Sequence, residues 1–368
     1  MINVFIIDDS ALMRTALSEL LADVSDIAVI GTAQDPIFAK AKMARNWPDV
    51  IILDLEMPRM DGLTFLSQLM TARPTPVIVC SAYSEKGSDK AMESLKLGAI
   101  DVMGKPKIGV REFIVHEKAV FVDKIRAAAR ARIQNQSGSG ASGIKSAPKA
   151  AAETSRVLPR SESGKTKHQH AVELIGIGAS TGGTQALEKV LLDLPATTPG
   201  IVIVQHMPEK FTRAFADRLN ARAMLHISEA EHGEQIVPGR AFIAPGGKHT
   251  SVVRRNDGLF IRISDDAPVN RHKPSVDVLF NSIAHCVPRH SAAFLLTGMG
   301  NDGAAGLKAI RDTGALTAAQ DEETSVVFGM PNEAIKLDAA DYVLPLEVVS
   351  AFIQSMLRPR GHFHVRTA

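Results

Sequence analysis

Two doubly wound, mostly parallel α/β domains are predicted by three observations. Short apolar runs alternate with helix-period stretches from residue 1 to about 132. The same alternation returns from 170 to 357. Between them, residues 133–169 have neither period and no aromatic residue, so they are read as a flexible linker. Residues 358–368 are left as a tail expected to be disordered.

In the first domain the strand-like runs are Ile2–Ile7, Ile27–Thr32, Val50–Leu53, Val77–Cys80 and Ile100–Met103. Helix-like stretches lie near Ala11–Ala22, Ile37–Ala44, Leu63–Met70, Asp89–Leu97 and Arg111–Arg132. A parallel sheet of this kind places its site at the carboxyl ends of the strands. Asp8 and Asp9 end the first strand, Asp54 the third and Ser81 the fourth, and Lys105 with Pro106 ends the fifth. Three converging carboxylates repel one another unless a cation joins them, and oxygen ligands with open water positions suit Mg²⁺. A carboxylate there can attack a phosphoryl group while a lysine and a hydroxyl hold its oxygens. Any one aspartate alone would be read as a helix cap or a solvated side chain. Five positions at four strand ends favour a site.

The stretches Ile7-Asp8-Asp9-Ser10, Leu53-Asp54-Leu55-Glu56-Met57-Pro58-Arg59-Met60-Asp61-Gly62, Cys80-Ser81-Ala82 and Gly104-Lys105-Pro106 resemble a response-regulator receiver domain. The resemblance implies that Asp54 is phosphorylated. It implies Mg²⁺ on Asp9, Asp54 and the backbone carbonyl of Glu56, with Asp8 assisting through water. Ser81 and Lys105 then contact the phosphoryl oxygens, and the Lys105-Pro106 bond is cis. Many receivers carry an aromatic switch residue where this chain has Val102. A shift of the surface near Ser81 and Met103 is expected in place of a ring flip.

The linker runs Asn135-Gln136-Ser137-Gly138-Ser139-Gly140-Ala141-Ser142-Gly143 and continues through Lys, Ala, Pro and Ser. A flexible chain of about 36 residues spans roughly 30–36 Å, enough to set the first domain over the second. Residues 135–170 carry six Lys/Arg and two acids, a charge of +4 in a chain whose total is +2. The rest is therefore at −2, with no basic footprint for nucleic acid.

In the second domain the strand-like runs are Val172–Ile177, Ile201–Gln205, Met224–Ile227, Ala241–Ala244, Ala292–Thr297, Ala315–Ala319 and Tyr342–Leu344. Ser251–Arg255 and Leu259–Ile263 flank Asn256-Asp257-Gly258 and read as an antiparallel hairpin. After the first strand, Gly178-Ala179-Ser180-Thr181-Gly182 fits G-x-S-x-G, a sharp strand-to-helix turn that exposes a serine. Its competitor is a phosphate- or dinucleotide-binding turn. That reading needs an acid at the end of the second strand, about 20 residues on. The second strand instead ends Gln205-His206-Met207-Pro208. A histidine there can act as general base for Ser180. The carboxylate that fixes its tautomer is assigned to Asp302, in the loop after the strand Ala292–Thr297, with Asp266, Asp277 and Asp321 as alternatives. Ser275 reads as a helix N-cap. His249, His272, His285 and His290 are read as loop or helix-face residues. The order serine, histidine, aspartate is not that of the α/β-hydrolases.

The stretches Gly176–Gly183, Gln205–Pro208, Ala244–His249, Pro274–Phe280, Leu296–Gly303 and Phe328–Pro331 resemble the catalytic domain of the chemotaxis protein-glutamate methylesterases. With the receiver in front, the resemblance covers nearly the whole chain. It implies a phosphorylation-controlled hydrolase that removes methyl groups from chemoreceptor glutamates, releases methanol and deamidates selected receptor glutamines. Ser180 is then the nucleophile, His206 the base and Asp302 its orienting acid. The amide of Met299, with Thr181, forms the oxyanion hole, and hydrolysis needs no metal. The partners implied are a chemotaxis sensor histidine kinase as phosphodonor and methylated chemoreceptors as substrate, for a chain expected to act as a monomer. A phosphorylation-controlled adaptor with an incidental ester-cleaving site is the alternative class. A hydrolase of another methylated sensory array is the alternative target.

The composition, 45% hydrophobic and 22% charged, is that of a soluble globular protein. No apolar run approaches a membrane span, and the start, Met1 to Asp9, lacks the basic region of a signal peptide. Cys80 and Cys286 alone form no disulfide framework or metal-ligand spacing. A cytoplasmic protein without membrane insertion or nucleic-acid binding is expected.

Overall fold

A computed structural model describes residues 1–81, 84–105, 110–131, 158–159 and 171–357. Pro106, most of 133–169 and the tail lie outside the described residues, and with them the expected cis bond and tail.

The first unit alternates β1 (Ile2–Ile7), α1 (Ala11–Leu21), β2 (Ile27–Ala33), α2 (Pro36–Met43), β3 (Val50–Asp54), α3 (Gly62–Ala72), β4 (Val77–Ser81), α4 (Glu85–Lys96), β5 (Asp101–Gly104) and α5 (Val110–Arg130). Its sheet is parallel, in the order β2-β1-β3-β4-β5. Strands β3 and β4 are buried along their whole length, as expected when helices cover both faces. Polar caps start the helices: Ser10, Asp35 and Asp61 each accept an amide of the first turn.

Of the expected linker, Leu158–Pro159 is described as a two-residue strand, β6. It pairs antiparallel with the last strand at the edge of the second sheet, a position that tolerates proline's missing N–H.

The second unit continues with β7 (Leu174–Ala179), α6 (Gly183–Leu192), β8 (Gly200–Gln205), α7 (Phe211–Asn220), β9 (His226–Glu229), β10 (Gln235–Ile236), β11 (Arg240–Ile243), β12 (His249–Arg255) and β13 (Gly258–Ser264). Then follow α8 (Val276–Cys286), β14 (Ser291–Leu295), α9 (Ala304–Asp312), β15 (Leu316–Gln320), α10 (Met330–Lys336), β16 (Tyr342–Leu344) and α11 (Leu346–Leu357). The large sheet runs β6-β16-β15-β14-β7-β8-β11-β9. From β7 the chain first builds toward β9, then returns to the other side through β14. The crevice beside β7 is thus the topological switch point, where open α/β sheets bind ligands. The expected hairpin is β12–β13, joined by the short β10 into a three-stranded antiparallel sheet. Sequence reading missed β10, which is too short to show a period.

The two units pack together. Buried Met92 and Leu95 of α4 belong to one apolar cluster with Leu187 of α6 and Phe215 of α7. Polar contacts cross the same seam. Gln185 Nε2 donates to the carbonyls of Leu95 and Ala99 at 3.1 and 3.3 Å. Arg218 Nη1 donates to the Met92 carbonyl at 3.1 Å. Arg271 pairs with Asp123 of α5 at 3.3 Å.

Candidate functional site

Parallel pairing of β1, β3, β4 and β5 brings the expected phosphoacceptor residues to one sheet edge. Asp8, Asp9 and Asp54 each offer a carboxylate oxygen within 4.8 Å of the others. Lys105 Nζ lies 2.9 Å from Asp8 and 2.7 Å from Asp54. Burial pushes the Asp54 carboxyl up to about 6, with the Lys105 ammonium opposing the shift. Burial acts against the charge of Lys105, but Asp54 and Asp8 more than offset it and hold the ammonium protonated. Two buried carboxylates facing one lysine leave excess negative charge, and an all-oxygen donor set fits a hard divalent cation. The Glu56 side chain turns away to Lys90 at 3.0 Å, so only its backbone is left for such a cation. Ser81 is buried, and its hydroxyl donates to the Gly87 carbonyl of α4 at 3.1 Å.

The elevated Asp54 value has a measurable consequence. A carboxyl whose folded value lies above its unfolded one contributes stability that is complete below the unfolded value and lost as pH rises through the folded one. Without divalent cations, the stability of the unsubstituted chain relative to Asp54→Asn should fall between about pH 4 and pH 7, by up to about 3 kcal/mol. Thermal melts of both proteins across that range check this. A difference independent of pH would show that burial does not govern Asp54.

In the second unit, β7 and β8 pair with Ala179 opposite Gln205, so Ser180 and His206 leave adjacent strands side by side. The His206 amide donates to the Ala179 carbonyl at 3.1 Å. On the other flank of β7, β14 is in register at Leu295 and Gly178, and the loop after it carries Asp302. Gly182 makes the turn at φ 77°, where a Cβ would strike the Val326 side chain. Gly298 lets the Asp302 loop pass over the serine, since a Cβ there would stand 2.7 Å from Ser180 Cβ. The carbonyl of Gly298 accepts the amides of Gly329 and Met330 at 3.0 and 2.8 Å, which fixes the backbone just before Met299.

His206 Nε2 hydrogen-bonds Asp302 Oδ2 at 2.8 Å, both side chains being buried. Asp302 also accepts from the Val276 amide at 2.6 Å, the Ser275 hydroxyl at 2.7 Å and Asn270 Nδ2 at 2.8 Å. Burial works against its charge, but the His206 bond and the Asn270 and Ser275 donors overcome it and hold the carboxyl well below the usual range. Asp302 therefore stays a carboxylate. His206 Nδ1 is buried without a hydrogen-bond partner, which leaves it as the nitrogen open to a proton. None of the competing acids is bonded to His206: Asp277 accepts from the Gly306 amide and shares Asn270 with Asp302, Asp321 caps the turn at Thr324, and Asp266 is exposed.

Several supporting residues escaped the sequence reading. Gln205 Nε2 holds the Ser180 carbonyl at 2.9 Å. Ser275 caps α8 as expected, and its hydroxyl also donates to Asp302. His249 is buried in β12, where Nδ1 accepts the Ser275 amide. His272, read as a loop or helix-face residue, stacks on His206 with ring centroids 3.8 Å apart and planes 10° from parallel. Asn270 and His272 lie in an irregular loop, where no period signals a contact.

The first unit lies at the lip of this site. Thr181 Oγ1, beside Ser180, donates to Asp101 Oδ2 of β5 at 3.1 Å. Asp101 is held in turn by Lys124 of α5 at 2.7 Å. Between the end of α5 and the Asp302 loop lies a cleft of about 820 Å³, lined by Arg130, Met299, Asn301, Phe328 and Lys336 among others.

Fold and site together define a response regulator whose output unit is built as a serine hydrolase. Comparisons with known proteins give the same two parts. The response regulator receiver domain family matches residues 4–113, and the CheB methylesterase family matches residues 175–353. The chain is 48% identical to "Protein-glutamate methylesterase/protein-glutamine glutaminase 1" of Pseudomonas savastanoi pv. phaseolicola, over 95% of this chain and 97% of that one. It is 50% identical to "Protein-glutamate methylesterase/protein-glutamine glutaminase 2" of Chromobacterium violaceum, over 96% and 99%. The crystal structure of the Thermotoga maritima CheB methylesterase catalytic domain is 36% identical, covers 50% of this chain and 99% of that chain, and has a TM-score of 0.49. The chain belongs to the protein-glutamate methylesterase/protein-glutamine glutaminase family. Among the described residues, no helix is long and apolar enough to cross a membrane.

Proposed function

We propose that this chain hydrolyses glutamate γ-methyl esters on chemoreceptors to glutamate and methanol, and deamidates receptor glutamines, under the control of phosphorylation at Asp54. The observation that carries the reading is the buried His206–Asp302 pair at the ends of the strands flanking Ser180, with His206 Nδ1 unpartnered. Ser180 Oγ attacks the ester carbonyl while His206 takes its proton. The charge of Asp302 stabilises the imidazolium that forms. The Met299 amide, with Thr181, receives the developing oxyanion. His206 returns its proton to the leaving methoxide, which departs as methanol. Water, deprotonated by His206, then cleaves the acyl-enzyme to the free carboxylate. An amide follows the same course and loses ammonia.

In the receiver, Asp54 is the phosphoacceptor. Asp8, Asp9, Asp54 and the Glu56 carbonyl would hold Mg²⁺, whose charge would neutralise the transferring phosphoryl oxygens. A sensor histidine kinase is the phosphodonor. Lys105 moves from pairing Asp54 to contacting the phosphoryl group, and the Ser81 hydroxyl leaves Gly87 for a phosphoryl oxygen. That loosens α4 and β5, whose backbone carbonyls and Asp101 hold Gln185, Arg218 and Thr181. With Val102 at the usual aromatic position, this surface shift replaces a ring flip. In the closed arrangement Asp101 also engages the hydroxyl of Thr181, the residue next to the nucleophile, and keeps it from a developing oxyanion.

The test is methanol release from membranes carrying methylated chemoreceptors, with the full-length chain and a small-molecule phosphodonor. Release in proportion to enzyme is expected. No release despite phosphorylated Asp54 would favour a phosphorylation-controlled adaptor.

A further inference from the structure

Apart from the residues already given catalytic roles, one short loop touches both His206 and Asp302. Val269–Lys273 precedes α8 and closes on itself through two backbone hydrogen bonds between Val269 and His272, 3.1 and 2.9 Å long. Its central residues, Asn270 and Arg271, have φ of 52° and 66°. Side-chain residues persist in that left-handed region only where their surroundings fix them. Here Asn270 Nδ2 bridges Asp302 and Asp277 at 2.8 and 2.7 Å. The turn therefore delivers the next ring, His272, flat onto His206.

We propose that His272 is a positioning residue for the hydrolysis. Its ring face holds the His206 imidazole in the plane that joins Nε2 to Asp302, and receives the positive charge that develops on His206 in the transition state. The proposal rests on the reading of Ser180, His206 and Asp302 as a catalytic triad. The hydrogen bond to Asp302 anchors one edge of the His206 ring but leaves the ring free to tilt about that bond. A parallel ring at 3.8 Å removes the tilt. An aromatic face also attracts a cation set against it.

For this role His272 has to be neutral, because two stacked imidazolium rings would repel. Burial, with the nearby His206, Lys124 and Arg271 and against the opposing charge of Asp302, pushes its value down to about 3. The ring is thus uncharged at neutral pH.

The test uses the full-length chain with phosphodonor. Two rates are read: phosphonylation of Ser180 by a small fluorophosphonate, which needs no receptor, and steady-state methanol release from methylated receptor membranes. His272→Ala should lower the labelling rate and kcat together by about 100-fold, the loss typical of a misplaced catalytic group, and leave KM unchanged. His272→Phe keeps the face without the nitrogens and should stay within about threefold of the unsubstituted chain. Thermal melts confirm that both variants fold, and His272→Phe retains the volume should His272→Ala not. Unchanged rates in folded His272→Ala would overturn the proposal. So would a His272→Phe protein as slow as His272→Ala, since the nitrogens would then matter, or a rise in KM alone, since the ring would then contact substrate. If Ser180 in the unsubstituted chain is not labelled at all, the triad reading fails first and takes the proposal with it.

Discussion

Ser180→Ala should abolish methanol release, a loss of at least about 10⁴-fold, while phosphorylation of Asp54 proceeds at its normal rate. The two chemistries sit on separate sheets, and the acceptor pocket has its own aspartates and lysine. The neighbouring Thr181 hydroxyl is turned to Asp101 and does not replace Ser180, and a general base without a nucleophile leaves only weak catalysis of direct water attack. Removing the serine should not unsettle the fold. Its side chain sits against the backbone at Gly298, and Asp302 keeps all its donors without it. Asp302→Asn should behave differently. It removes the charge that fixes the His206 tautomer and disturbs a buried network, so both activity and stability should drop. The measurement is methanol release alongside incorporation of phosphoryl groups. Substantial methanol from purified Ser180→Ala protein would remove Ser180 from the mechanism.

The double variant Gln185→Ala, Arg218→Ala should raise the activity of the unphosphorylated chain. These side chains hold the carbonyls of Leu95, Ala99 and Met92 across the seam, and neither belongs to the catalytic set. Removing their hydrogen bonds should weaken the closed arrangement by about 2 kcal/mol. That shifts the balance of closed to open about 30-fold. Glu188, which Arg218 also pairs with, keeps Arg222, so α6 retains a tie to the segment just after α7. Methanol release without phosphodonor should approach that of the phosphorylated unsubstituted chain. If the variant stays as slow as the parent while retaining full activity once phosphorylated, the seam is not what restrains the enzyme.

Much of this architecture is legible in the sequence because parallel α/β sheets concentrate chemistry at strand ends. Asp8, Asp9, Asp54 and Lys105 follow apolar runs whose parallel pairing is forced by the intervening helices. Ser180, His206 and Asp302 follow three more, and the order β14-β7-β8 brings all three to one edge of the sheet. Asn270 and His272 were out of reach for the opposite reason. They meet His206 and Asp302 through a left-handed turn in an irregular loop, a geometry set by distant partners and not by periodicity. The seam was equally hidden. Nothing in the sequence marks Gln185 or Arg218, and only the packing of α4 on α6 and α7 gives them partners. The linker reading missed β6 because two residues at a sheet edge are defined by β16 and not by their own sequence.

The central claim is that phosphorylation of Asp54 frees the Ser180 site. The most direct measurement is the rate of methanol release from methylated receptor membranes before and after addition of a phosphodonor, for the full-length chain and for Asp54→Asn. The unsubstituted chain should start slowly and accelerate once phosphorylated, whereas Asp54→Asn should stay at the slow rate with donor present. Equal rates with and without phosphorylation, or an Asp54→Asn chain that accelerates with the donor, would contradict it.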